Sequence, residues 1–156
     1  MDHSGWIAVG IGVAVLALLG LMLVLGSRVP GRARRLFFQQ RRLVQEEFIL
    51  AATATGKPRG LRWKACDWGG EASVPTFALD HGNGVIVALV PVTIQFEAVE
   101  GSDMEGLPAV GTLRNASAVF AFDGRANWRP TGRAIFNLNP DEVLTRFKDQ
   151  FRPLVR

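Results

Sequence analysis

VIVALVPVTIQFEA, residues 85–98, is the stretch on which the fold turns. Ile86, Ala88, Val90, Val92, Ile94 and Phe96 occupy every second position, and Thr93, Gln95 and Glu97 fill the alternate ones near its end. A period of two puts the apolar set on one face of a strand and the polar set on the other. Fourteen residues of this kind make a long strand in a sheet with one buried face. Pro91 removes one ladder donor, so the strand is an edge there or is bent by a bulge.

Working outward, His81-Gly82-Asn83-Gly84 reads as a hairpin, because Asn and Gly tolerate positive φ. It joins the long strand to a short apolar run, Thr76 to Asp80. Leu61 to Trp68, LRWKACDW, is a further strand. On the other side, Glu100 to Gly111 is a loop punctuated by Gly101, Gly106 and Pro108. Thr112 to Phe122 alternates, with Ala116, Ala118, Phe120 and Phe122 inward. After Asp123-Gly124, Trp128 to Leu138 returns, with Ala134, Phe136 and Leu138 inward. Asn139-Pro140-Asp141-Glu142 then opens a helix: a cap, a proline in the first turn and acids against the helix dipole. Val143, Leu144, Phe147 and Phe151 form its apolar stripe and Pro153 limits it. The class expected is α+β: a four- or five-stranded antiparallel sheet with the C-terminal helix packed on it, and helices against one face.

The other end of the chain differs. Residues 6–26, WIAVGIGVAVLALLGLMLVLG, are 21 positions without a charge. At about 1.5 Å per residue they span roughly 30 Å, the hydrocarbon thickness of a bilayer. The N-terminus before them carries no Lys or Arg, and arginines follow at once. That pattern predicts a retained transmembrane helix and not a cleaved signal. Basic residues stay on the cytoplasmic side, so the N-terminus is expected outside and the C-terminal domain in the cytoplasm, at the inner (cytoplasmic) membrane. Ala8/Gly12 and Gly10/Ala14 are small pairs one turn apart, a weak pattern for close helix approach.

Between anchor and sheet, Pro30-Gly31 marks a break, and Arg32 to Gly56 predicts an amphipathic helix stopped by Gly56 and Pro58. Leu36, Leu43 and Leu50 recur every seven residues, as do Phe37, Val44 and Ala51, and together they draw one apolar stripe. Three uses of this helix compete: packing on the domain's own sheet, contact of the arginines with anionic headgroups, and a parallel coil in a homodimer. The membrane-surface set is Arg28, Arg32, Arg34, Arg35, Arg41 and Arg42, with Phe37 and Phe38 dipping into the interface. The organisation expected is an anchor over 1–27, a basic juxtamembrane helix over 28–57 and an α+β domain over 58–156.

The net charge of +4 lies wholly in residues 1–57, which hold seven basic and three acidic residues. Residues 58–156 hold eleven of each. A neutral domain argues against nucleic acid as its partner. Arg125, Arg129 and Arg133 flank Trp128 and form a candidate partner surface.

No catalytic set is apparent. Cys66 is the single cysteine, so no internal disulfide forms, in keeping with a reducing compartment. Its one candidate partner outside the terminus is His81, without a local signature. Glu97, Glu100, Asp103 and Glu105 concentrate carboxylates, but their spacing is not that of a calcium loop and a solvated acidic loop is the simpler reading. No cofactor and no metal is expected. Arg59-Gly60-Leu61-Arg62 and Asn115-Ala116-Ser117 are similar to the motifs of PilZ-type cyclic-dinucleotide barrels, but Phe120 stands where glycine is needed and the arginine spacing departs.

The runs GKPRGLRWKACDW, VPVTIQFEAVEGSDMEG and GRAIFNLNP resemble an uncharacterised group of short single-pass bacterial membrane proteins. The resemblance covers nearly the whole chain. It implies a bacterial source and an anchor-plus-domain layout, and no activity. The expected function is therefore a membrane-anchored protein presenting a small interaction domain at the cytoplasmic membrane surface. Its partners would be the bilayer and its anionic headgroups, with a homodimer or membrane-protein partner. The alternatives are a ligand-binding or enzymatic domain using a pocket between sheet and helices, and an accessory subunit of a larger membrane complex.

Overall fold

The computed structural model describes residues 3–154, with the side chains of 29–154 except Glu71, and those of Val13 and 16–18. Two units, Met1–Arg32 and Ala33–Arg156, partition the chain. Helix α1, His3–Ala54, contributes to both. Its first part makes up the described portion of the first unit, and the expected anchor falls there. Among the described residues no helix is long and apolar enough to cross a membrane. Most side chains of 6–26 lie outside the described residues. The break expected at Pro30-Gly31 is absent, because α1 runs through Pro30. Proline costs its own ladder bond and disfavours the α region at Val29, but that cost is local. The turns that follow are pinned to the sheet by Ala33 and Phe37, both fully buried.

The second unit is α+β. Among the described residues six strands form an antiparallel sheet: β1 (Leu61–Asp67), β2 (Thr76–Asp80), β3 (Val85–Ala98), β4 (Arg114–Phe122), β5 (Trp128–Phe136) and β6 (Phe151–Pro153). The order is β5-β4-β3-β2-β6, and β1 also pairs with β3. One edge of β3 is shared. Residues 85–89 pair with β2, while 93–98 pair with β1. Pro91 stands in the gap between them, opposite Ser117 of β4. Its carbonyl accepts from the Ser73 hydroxyl (3.4 Å), so its missing N–H faces an edge where no strand needs it. The strand is a local edge at its proline, one of the two arrangements its sequence allows.

Alternation along β3 builds two cores. Ala88, Val90, Val92, Ile94 and Phe96 meet Ala116, Ala118, Phe120 and Phe122 beneath α1. Val87 and Leu89 join Ala78, Val119, Ile135 and Phe151 beneath the short helix α2, Pro140–Arg146. The helices therefore cover opposite faces, not one face as expected. Both faces of β3 are apolar over 87–90, and a strand buried on both sides needs a cover on each.

The stripe on α1 is corrected in part: Phe37 and Val44 of the second heptad line are buried as expected and Ala51 is half-buried, while the leucine line is displaced. Ala33, Phe37, Val44, Phe48 and Ala52 face the sheet, at spacings close to the 3.6-residue turn. The heptad line of leucines drifts by about 20° every seven residues on a straight helix. Leu36 is half-buried, Leu43 is 61% exposed and Leu50 is 75% exposed. Gln40 bridges α1 to the β4–β5 turn, donating to the Ala126 carbonyl (2.7 Å) and accepting from the Trp128 N–H (2.9 Å).

Other boundaries differ by a few residues. The His81–Gly84 turn uses positive φ at Gly84 (68°), while the Asn83 side chain accepts from the Val85 N–H (3.0 Å). The C-terminal helix has its capping box between Asn139 and Glu142, but it ends at Arg146. Phe151 is buried from β6, which pairs with β2 and raises the strand count to six. Leu138 packs with the α2 core instead of the α1 core, because Asn137 adopts φ 59° and turns the chain.

The β4–β5 turn is organised by Asp123. One of its oxygens, Oδ1, accepts from the N–H groups of Arg125 (2.8 Å), Ala126 (2.9 Å) and Asn127 (3.0 Å). The other, Oδ2, accepts from the Asn127 amide (2.9 Å). These bonds, the backbone ones of Asn127 and Arg125 foremost, hold its carboxyl well below the usual carboxylate range. A carboxyl pKa depressed in the folded state stabilises above the unfolded value of about 3.9 and is lost as pH falls below it. Asp123→Ala should thus lower the melting temperature near neutral pH, with the gap to wild type closing as pH falls below about 4. Parallel thermal melts from pH 6 to pH 2 check this; a gap constant with pH would refute the electrostatic account.

Candidate functional site

The face that α2 covers is only half covered. Beyond Val87 and Leu89 the outward positions of β3 become Pro91, Thr93, Gln95 and Glu97, which no helix caps among the described residues. A row of polar side chains crosses the sheet there. Asp67 of β1 pairs with Thr93 of β3, and Thr93 pairs with Asn115 of β4. The Asn137 N–H, just after β5, donates to the Asn115 carbonyl (2.8 Å). Strands lie about 4.8 Å apart, so these four positions span roughly 14 Å across the sheet.

The row floors an open groove of about 550 Å³, whose walls include Ser73, Pro91, Asn139 and Glu142. The Thr93 hydroxyl donates to Asn115 Oδ1 (3.1 Å), which leaves the Asn115 amide nitrogen available as a donor. Asp67 spends one oxygen on the Gly69 N–H (3.0 Å), leaving the other as an acceptor. Asn137 holds a left-handed backbone, φ 59°, which asparagine tolerates better than most side chains. The groove thus offers donors and acceptors from several strands, with carboxylates at Asp67 and Glu142 and one nearby guanidinium, Arg114. That suits recognition through directional hydrogen bonds. Among its described residues it supplies no nucleophile with a base beside it.

Arg41 shapes one wall. Its guanidinium donates to the carbonyls of Gly70 (3.1 Å) and Ser73 (2.8 Å), holding the loop that borders the groove. The sequence places it at the membrane surface instead. Arg34, from the same set, donates to the Leu154 carbonyl (2.7 Å) and lies over Phe77. Phe37, expected in the interface, is 0% exposed, edge-on to Phe77, Phe120 and Trp128. A side chain in the domain core does not reach lipid. Arg32, Arg35 and Phe38 are exposed, Arg42 is exposed and pairs with Glu46 (3.0 Å), and Arg28 lies outside the described side chains.

The second candidate surface is dispersed. Trp128 is buried, and its indole N–H donates to the Ala33 carbonyl (2.9 Å). It is a strut between β5 and α1, not an exposed aromatic. Arg125 and Arg129 remain exposed, and the Arg133 guanidinium lies 5.9 Å over the Phe151 ring.

Cys66 and His81 do not meet. Cys66 stands opposite Ile94 and His81 follows the Asp80–Val85 pair, nine residues away along β3, or roughly 30 Å. Burial pushes the Cys66 thiol up to about 11, so it holds little thiolate at neutral pH. In the acidic segment, Glu97 pairs with Arg62 (2.7 Å) and Glu105 accepts from the Gly101 N–H (2.8 Å). Among the described residues no cluster of three His, Cys, Asp or Glu side chains has the arrangement to hold a metal ion.

The polar row does not stand out in the sequence. Thr93 reads there as a solvent-face position of its strand and Asn115 as part of a short motif, and nothing local links them to Asp67 and Asn137. Comparisons with family models, curated proteins and solved structures found no match for this chain.

Proposed function

We propose that this chain is a single-pass membrane protein that presents its α+β domain at the cytoplasmic membrane surface, with the polar groove as the recognition surface. The observation that carries the reading is the uncharged run 6–26 followed by arginines at 28, 32, 34, 35, 41 and 42. A run of this length matches a bilayer, and the asymmetry of positive charge sets the orientation. Arg32, Arg35 and Phe38, exposed on α1, support contact with anionic headgroups. The buried positions of Phe37 and Trp128 remove them from any such surface.

The test of topology uses sealed inner-membrane vesicles and a tag at the C-terminus. Protease added to inverted vesicles should remove the tag, and protease added to right-side-out vesicles should spare it. Cleavage confined to right-side-out vesicles would sink the reading.

The groove favours a second reading within the same architecture, a domain that binds a polar ligand or peptide. Asp67, Thr93, Asn115 and Asn137 in one row across the sheet are the specific observation. A photo-crosslinker placed at Asn137 in the full chain should give a defined adduct in membranes, and Asn115→Ala should abolish it while shifting the denaturation midpoint little. An adduct unaffected by Asn115→Ala, or equally abundant from Lys148, would remove the groove from the argument.

A further inference from the structure

A second cavity of about 600 Å³ opens where α1 ends, lined by Lys57, Pro58, Arg59, Trp63, Arg133 and Phe136 among others. Among the described residues no acidic side chain lines it. We infer that it is a binding site for an organic anion with a flat apolar body, such as an aromatic carboxylate or phosphate monoester.

The floor is aromatic and held in place. Trp63 packs on Phe96 (4.9 Å between centroids) and tilts 36° to Phe136. Its indole N–H donates to the Lys57 carbonyl (2.8 Å), so the same contact orients the ring and fixes the loop bearing the two cations. Lys57 and Arg59 are exposed, and neither is paired with an acid among the described residues. The cavity falls in the size range of small-molecule sites, and an apolar floor with a few placed polar groups is their usual make-up. Arg and Lys form charge-assisted bonds with carboxylate or phosphate oxygens.

The helix end itself would oppose an anion, but its carbonyls are partly engaged. Ala52 O accepts from the N–H (3.1 Å) and the hydroxyl (2.6 Å) of Thr55, and Thr53 O accepts from the Gly56 N–H (3.0 Å). The cavity lies about 30 Å along α1 from Ala33. That distance favours a water-borne ligand over a headgroup gathered by the arginines at 32 and 35.

The experiment is calorimetry on the full chain in nanodiscs, with 2-naphthoate, 2-naphthyl phosphate, neutral 2-naphthamide and inorganic phosphate as probes. At least one naphthyl anion should bind saturably, and which of the two binds more tightly assigns the head group. Lys57→Gln with Arg59→Gln should weaken that binding by about tenfold or more, and 2-naphthamide should bind the wild type no better than the anion binds this variant. Inorganic phosphate should not displace the naphthyl anion, since it leaves the aromatic floor empty. On a ¹⁵N-labelled chain the Trp63 indole resonance should move with the bound anion and not with the amide. Absence of saturable binding by both anions, equal binding by the amide, or affinity unchanged in the double variant overturns the proposal. Circular dichroism of that variant keeps the test fair, because both side chains are exposed and it should remain folded.

Discussion

Gly132→Ala should destabilise the α+β domain by about 3 kcal/mol, with strain and collision both contributing. Gly132 has φ +71°, where an L side chain costs roughly 1–2 kcal/mol. It also lies in contact with α1: a Cβ there would sit 2.5 Å from the Ala51 carbonyl oxygen and 2.7 Å from its carbon. Those are backbone atoms, so no rotamer change relieves the clash. Either α1 lifts from the sheet or β5 shifts, and overpacking of this kind costs about 1–3 kcal/mol. Gly124 provides the control. It has φ +80°, and an added methyl there would meet nothing within 4 Å, so Gly124→Ala should show the strain alone, about 1–2 kcal/mol. Denaturant midpoints of the two variants decide it. Equal losses would mean that the helix does not approach β5 as closely as described.

Phe37→Ala should cost about 3–5 kcal/mol, the range for emptying a buried aromatic site. The ring is wholly buried and meets Phe77, Phe120 and Trp128 at 5.0–5.8 Å between centroids. Removing it would leave a cavity bounded by rings from β2, β4 and β5, which cannot close without moving α1. Leu50→Ala, on the exposed side of the same helix, should stay within about 0.5 kcal/mol. The pair separates two uses of the helix. A residue that served the membrane would, when removed, weaken vesicle binding and spare the melting temperature. Phe37→Ala should do the reverse, and an unchanged melting temperature would show that the helix does not pack on the sheet through this ring.

Much of the architecture is legible in one dimension. The alternation of 85–98 names the central strand and its α1-facing residues, and Pro91 narrows its own surroundings to an unpaired edge or a bulge. The cap at Asn139 is readable because capping depends on residues within one turn. The face of α1 is legible only in part: Phe37 and Val44 are named correctly and the leucines are not. Heptad leucines and the true inner stripe differ by a small rotation, and the choice between them rests on the rings that the sheet presents. Phe151 reads as helical because its spacing from Val143, Leu144 and Phe147 suits a helix. Pairing with β2 decides for a strand. The groove is illegible for a related reason: its four polar residues come from four separate segments, and each alone is an ordinary surface position.

Local order came from the chain itself. The uncharged run, the placement of all surplus positive charge in the first 57 residues, the strand alternation and the helix cap depend on neighbours within a few positions. Those features set the α+β class and motivate the membrane reading. The tertiary structure decided the facing. It put α1 and α2 on opposite sides of the sheet, withdrew Phe37 and Trp128 into the core, and turned Arg41 from a surface cation into a clamp on a loop. It also left half of one sheet face uncovered. These outcomes depend on contacts between residues tens of positions apart, where packing volume and hydrogen-bond pairing, not periodicity, choose among faces that look alike in one dimension.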